Sequence, residues 1–231
     1  MADLNIIATP IGNLKDVTLR TLEVLKEVDL ILGEDTRVTK KLLSYYNIRT
    51  PVLSYHQHSK LKKINYILGL LKQEKNLALV SDSGTPGISD PGNKLISRIV
   101  ADPQLNNVKI IPVPGSTALI AAASVSGIPM DKFLFLGFPP TKRKRKKFFT
   151  KIMNSDYPVI FYESPYRILR TLQELSGFSQ NLEVVVCREL TKKFETIYRG
   201  RIEKVIKEIN PKGEFVVIVN NKFESKWSIE F

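Results

Sequence analysis

The chain has 231 residues, 43% of them hydrophobic, a single cysteine and a formal net charge of +12. That length holds one large domain or two small ones with proper cores, the lone Cys187 rules out an internal disulfide, and no apolar run approaches the roughly 20 residues of a membrane helix. The charge, with a pI near 9.7, fits an anionic partner such as nucleic acid, or a lysine-rich proteome in which many unrelated proteins are basic.

Leu4 to Ala8 reads as a first strand, without the basic flank and long apolar core of a signal peptide, so a cytoplasmic protein is expected. A loop, Thr9-Pro10-Ile11-Gly12-Asn13, follows it, and Asp16 is placed to cap a helix whose leucines at 19, 22 and 25 share one face. Val28 to Leu32 is a second strand ending in Gly33-Glu34-Asp35-Thr36-Arg37. An acid about 20 residues beyond a glycine loop is the layout of a dinucleotide fold, but Gly12 stands alone where three spaced glycines are needed. The fold class survives and a standard nicotinamide site does not. Thr36 is placed to cap a helix to Tyr45, Val52 to Tyr55 is a short strand, and Leu61 to Lys72 is helical. His56 and His58 have no third ligand at a recognisable spacing, which favours turn or capping roles over metal.

The stretch around which the chain is organised runs from Ser81 to Gly92, after the apolar run Leu77-Ala78-Leu79-Val80. Four small or branched apolar residues bounded by turn residues read as a parallel strand buried on both faces. Its loop therefore leaves a carboxyl edge, where open α/β sheets hold ligands. Gly84 and Gly87 permit positive φ or a close backbone approach, and twelve residues exceed what a plain connection needs. Asp90 then Pro91 reads as a helix cap followed by proline at the first helical position. With a strand at 108–113, five strands alternate with helices, a doubly wound domain over 1–113.

Residues 114–231 form a second, mixed α/β domain. Pro114-Gly115-Ser116-Thr117 feeds an alanine-rich helix from Ala118 to Ser126, as either a ligand turn or a packed domain junction. Phe133 to Phe138 is a strand. Six successive cations, Lys142 to Lys147, follow two prolines; a solvated helix face is the ordinary reading of such a run and phosphate binding the functional one. Strands at 158–162, 182–188, 195–198 and 215–219 alternate with helices to Leu175 and over Ile202 to Ile209, with Cys187 inside a buried strand. Ser164-Pro165 repeats the cap-then-proline start. The loops at Thr9, Glu34, Ser83, Gly115 and Glu163 are expected to line a cleft between the domains.

Several loops are longer and more specific than a generic α/β fold demands. Ala8 to Leu14, Glu34-Asp35-Thr36-Arg37, Ser81 to Gly92, Pro114-Gly115, Phe161 to Pro165 and Arg188 to Lys192 occur together and in order. From Leu4 to Val219 the chain resembles the ribosomal RNA-methylating members of the tetrapyrrole methylase family. The resemblance implies two α/β domains, a homodimer, S-adenosylmethionine in the interdomain cleft, and 2'-O-methylation of a cytidine in the decoding region of 16S rRNA, free or in the small subunit. By motif position it puts the cofactor against Pro10, Ser83, Gly84, Thr85, Pro86, Ile88, Ser116, Thr117, Ala118 and Tyr162. The RNA side falls to Arg37 and to Arg143, Lys144, Arg145, Lys146 and Lys147. Family members often continue past the final strand, which shifts more of the RNA grip to this basic run. Ser116 and Tyr166 also depart from the residues usual in relatives.

Methyl transfer needs an oxygen in line with the sulfonium carbon, and a ribose hydroxyl reacts faster once a base takes its proton. Asp35, Asp82 and Lys192 are the candidate bases, with Glu163 behind them. Asp82 lies just beyond a buried strand, where partial desolvation raises a carboxyl's pKa. Asp35 and Arg37 are equally readable as a structural ion pair. No metal is required, and no membrane contact is indicated. A small-molecule methylase of the same fold and a non-catalytic RNA-binding module remain as alternatives, the first opposed by the basic run and the second by the long glycine loop.

Overall fold

The computed structural model describes residues 1–56, 59–90 and 92–220, so the expectations for His58 and Pro91 lie outside the described residues. The chain divides into two compact units, Met1–Thr117 and Ala118–Phe231.

The first unit is built on five parallel strands, β1 (Asp3–Ile7), β2 (Leu30–Gly33), β3 (Val52–Ser54), β4 (Leu77–Val80) and β5 (Lys109–Val113), in the order β3-β2-β4-β1-β5. Alternation along each strand divides its side chains between two helical layers. Leu77 and Leu79 face Ile64, Ile67 and Leu71 of α3 (Leu61–Lys72) and Leu95 and Ile99 of α4 (Asn93–Val100). Ala78 and Val80 face Leu25 of α1 (Leu19–Glu27) and Leu42 and Leu43 of α2 (Thr36–Tyr45). β4 is buried at all four positions, which is why its sequence has no polar alternation.

Helix starts are where the sequence pattern and the structure part. α1 is capped by Thr18, whose hydroxyl accepts the Thr21 N–H at 3.1 Å, while Asp16 sits in a short 3-10 turn and Leu19 is exposed. Asp35 rather than Thr36 caps α2, accepting the Arg37 N–H at 2.8 Å. α4 begins at Asn93 behind Gly92, so Asp90 is not its cap. The cap falls two positions nearer the helix at α1, one position further back at α2, and at α4 on Gly92, which offers no side-chain hydrogen bond.

The second unit holds a mixed sheet of β6 (Leu134–Phe135), β7 (Val159–Glu163), β8 (Glu183–Arg188), β9 (Thr196–Arg201) and β10 (Phe215–Asn220), ordered β6-β7-β10-β8-β9. Only β6 and β7 run parallel; the other neighbours are antiparallel. One face packs α6 (Arg145–Met153), α7 (Ile168–Ser176) and α8 (Ile202–Glu208) over Phe161, Val186 and Val217. The opposite face takes α5 (Ala118–Ser124) over Ile160, Val185 and Ile218. Cys187 is buried there, and burial pushes its thiol up to about 12, removing it as a nucleophile. Ser164 does not cap α7, which starts at Ile168 after a turn closed by the Arg167 N–H on the Ser164 carbonyl.

Candidate functional site

In the first unit β1 and β4 are neighbours, yet the chain leaves β1 towards β2 and leaves β4 towards β5. Their following helices therefore lie on opposite faces, and the loops part at the carboxyl edge to leave a crevice. Its floor is tied by backbone. Thr9 and Gly84 exchange both main-chain hydrogen bonds, at 2.9 and 3.1 Å, extending the β1–β4 pairing into the two loops. The Thr9 hydroxyl donates to the Ser81 carbonyl, the Ser81 hydroxyl to the Gly84 carbonyl and the Thr85 hydroxyl to the Ser116 carbonyl, at 3.1, 3.1 and 3.3 Å. Gly84 adopts φ +79, a conformation that costs any residue with a Cβ about 1 kcal/mol or more. Pro10, Ser83, Gly84, Thr85, Pro86, Ile88, Ser116 and Thr117 are thereby gathered on one edge of the first unit. Ala118 opens α5 and Tyr162 lies on β7, both in the second unit, where the Tyr162 ring meets Phe135 edge-on at 5.0 Å.

Four carboxyls crowd this edge. The Asp82 Oδ1 accepts the Asp35 N–H at 2.8 Å, joining the loops after β2 and β4. Asp35 itself caps α2 and is ion-paired with Arg37; the guanidinium bonds first, and the Arg37 N–H with it, pull its carboxyl down to about 2. Such a carboxylate is a weak base with its lone pairs spent. Burial raises Asp90 to about 6, assisted by the charges of Glu34 and Asp82. Burial and Asp82 also raise Glu34, against the opposing effect of His56. Of this cluster the sequence places Glu34 on a loop lining the expected cleft and reads Asp90 as a cap. The available signal was a carboxyl inside a glycine-rich loop longer than its connection needs.

The other predicted residues fall in the second unit. Glu163 is wholly buried and spends both oxygens on structure, accepting the Ser164 N–H at 2.7 Å, Arg167 at 2.8 Å and the Thr171 hydroxyl at 2.6 Å. Lys192 donates to Glu189 at 3.1 Å and Glu214 at 2.8 Å. Burial works to lower its ammonium, but the Glu214 and Glu189 carboxylates outweigh it and hold the value above that of an ordinary lysine. A neutral lysine base is the opposite of what this setting favours. The loop carrying it is strained, with Glu189 at φ 53 and Thr191 at φ 66.

The basic run needs one correction. Arg145 is 6% exposed, donates to Glu174, to the Pro140 carbonyl at 3.0 Å and to the Thr171 hydroxyl at 2.6 Å, and lies over the Phe149 ring. It is a core residue, not a phosphate ligand, because α6 starts at Arg145 and turns that position inward. Arg143, Lys144, Lys146 and Lys147 remain exposed, as does Arg37. Among the described residues no group of three or more His, Cys, Asp or Glu is placed to hold a metal, and no helix is long and apolar enough to cross a membrane.

A parallel α/β unit with a glycine loop tied across its switch point, followed by a mixed-sheet unit, defines a two-domain ligand-binding α/β protein. The family model of tetrapyrrole (corrin/porphyrin) methylases matches residues 3–206, and the chain belongs to that family. It is a methyltransferase. Among its relatives is the ribosomal RNA small subunit methyltransferase I of Synechocystis sp., 45% identical over 224 residues that make up 95% of this chain and 79% of the relative. The enzyme of the same name from Thermotoga maritima is 40% identical over 96% of this chain and all of its own length. The crystal structure of the methyltransferase CobJ superposes with a TM-score of 0.69 at 20% identity, covering 96% of this chain and 94% of that one. Diphthine synthase does so with a TM-score of 0.70 at 14% identity, over 95% and 90%. At those identities the structures establish the fold.

Proposed function

We propose that the chain transfers a methyl group from S-adenosylmethionine to the 2'-hydroxyl of a cytidine in small-subunit ribosomal RNA. The observation that carries the reading is identity of 40–45% over nearly the whole chain to enzymes named for methylating that RNA. The 2'-oxygen of cytidine rests on the ordered loop motifs described above.

The tied edge of the first unit suits this cofactor. Gly84 at φ +79 leaves backbone where a side chain would stand, and Thr85 is fixed to the Ser116 carbonyl, so a flat ligand can lie against main chain. The carboxyls of Glu34 and Asp90 complement a ligand carrying a sulfonium and an ammonium. When bound, the cofactor supplies an electrophilic methyl. Pro10, Ser83 to Pro86, Ile88, Ser116 and Thr117 would hold it.

Asp82 is the base this reading favours. Its Oδ1 is oriented by the Asp35 N–H, and the carboxylate has no other hydrogen bond or ion pair among the described residues, so Oδ2 is available to take a hydroxyl proton. Asp35 then acts as the positioning residue, holding Asp82 through its backbone. Lys192 is better suited as a cation that fixes Glu189 and Glu214.

The test is incubation with methyl-labelled S-adenosylmethionine and small ribosomal subunits, or free 16S rRNA, from cells lacking the modification. The expected result is label at one cytidine, with the following phosphodiester made resistant to alkali. Label on a tetrapyrrole and none on RNA would replace this reading with the small-molecule one.

A further inference from the structure

Between Asp35 and Glu74 the chain carries eight lysines and arginines and no acid, against a net charge of +12 for the whole protein. This stretch contains α2, the strand β3 and α3, so its charge is gathered at one margin of the first unit, where β3 is the outermost strand. Arg37 and Lys72 are ion-paired with Asp35 and Asp102. Lys40, Lys41, Arg49, Lys60, Lys62 and Lys63 have no ion pair among the described residues, and all but the half-buried Lys63 are exposed. Two concavities flank β3. One, of about 710 Å³, is walled by Lys40, Ser44, Asn47 and Arg49 on one side of the strand's start. The other, of about 550 Å³, lies between Leu53, Lys60, Lys63 and the 57% exposed ring of Tyr66.

We propose that this acid-free margin around β3 is a single-stranded RNA-binding surface, with the lysines of α2 and α3 taking phosphates and Tyr66 stacking on a base. The proposal rests on the reading that the substrate is RNA. Six cations with no ion pair among the described residues, carried on the two faces either side of the edge strand, offer a phosphate track around that edge, since each neutralised phosphate releases condensed counterions. An exposed tyrosine beside a largely apolar hollow supplies the stacking platform that single strands use without sequence preference. A lipid surface fits less well. The apolar faces of α2 and α3 are spent on the sheet, through Leu42, Leu43, Ile64, Ile67 and Leu71, and the large apolar side chains left exposed, Val38 and Tyr45 on α2 and Leu61 and Tyr66 on α3, are divided between opposite faces of the sheet.

The experiment is fluorescence anisotropy of the full chain with a labelled, unstructured RNA oligonucleotide across a salt series. The quadruple variant Lys40→Gln, Lys41→Gln, Lys62→Gln, Lys63→Gln is expected to flatten the slope of log affinity against log salt by roughly 2–3, at about 0.7 per phosphate contact. Its S-adenosylmethionine affinity and thermal midpoint are expected to match those of the parent. Tyr66→Ala is expected to weaken binding roughly tenfold with the slope unchanged, because stacking releases no counterions. A matched variant elsewhere, Lys26→Gln, Lys109→Gln, Lys151→Gln, Lys207→Gln, is expected to keep the parental slope.

The proposal is overturned if the parent binds no RNA, if the first quadruple variant keeps the parental slope, or if the matched variant flattens it equally. It is also overturned if the first variant loses binding to phosphatidylserine vesicles while keeping the RNA slope. Absence of rRNA methylation with these oligonucleotide results intact removes the substrate reading and leaves the surface. Methylation with an unchanged slope does the reverse.

Discussion

The Asp82 carboxylate accepts the backbone N–H of Asp35 at 2.8 Å, so a residue at the start of the loop after β4 is oriented by the cap of α2, the helix that follows the neighbouring strand β2. Asp82→Asn keeps an acceptor oxygen for that N–H and removes only the charge. Single-turnover methyl transfer is expected to fall by about 10²- to 10⁴-fold at unchanged cofactor affinity. Asp82→Ala is expected to lose the same activity and, in addition, about 1 kcal/mol of stability, because the Asp35 N–H loses its partner. Full single-turnover rate in the asparagine variant removes Asp82 as the base.

Asp90 makes the fold pH-sensitive. Its carboxyl is raised from 3.8 to about 6, so between those values the folded state holds more protons than the unfolded state. Stability attributable to this group therefore falls as pH rises through that window and stays at the lower level above it. Asp90→Asn is expected to stabilise the protein by about 1–2 kcal/mol at pH 8, after allowing for solvent screening, and to make little difference near pH 4. Urea denaturation at the two pH values measures this; equal effects at both would show that charge is not the cause.

The basic run at 142–147 is expected to split by substitution. Arg145→Gln leaves Glu174 with Arg170 alone and removes the donor to the Thr171 hydroxyl, and is expected to cost about 1–3 kcal/mol. Lys144→Gln with Lys147→Gln is expected to change stability by less than about 0.5 kcal/mol. Denaturant midpoints of the purified variants test the contrast, and similar values would place Arg145 at the surface.

Gly213 has φ +103, and a Cβ on it would fall 2.5 Å from the Glu189 Cγ. Gly213→Ala therefore forces backbone strain and displaces the carboxylate that holds Lys192, for an expected loss of about 1–3 kcal/mol. A change under about 0.5 kcal/mol by chemical denaturation would mean that the 188–192 loop adapts freely.

The sequence by itself determined the elements and the class. The unbroken Leu77–Val80 run marked a strand buried on both faces, the spacing of apolar residues from Leu61 to Lys72 gave that helix to the residue, and the long loop after Val80 marked the carboxyl edge of the first sheet. These are local properties of periodicity and turn chemistry, which neighbours reinforce and do not redirect. Tertiary structure alone decided which charges are spent on packing and caps. Asp35 and Asp82 read alike as acids after strands, yet one is spent on a cap and an arginine while the other is aimed by a backbone N–H. Arg145 reads like its five basic neighbours until α6 turns it against Glu174, and Asp90 reads as a cap until Glu34 and Asp82 close around it. A carboxyl or guanidinium takes its character from charges and burial contributed by distant segments, and no window of sequence contains those distances.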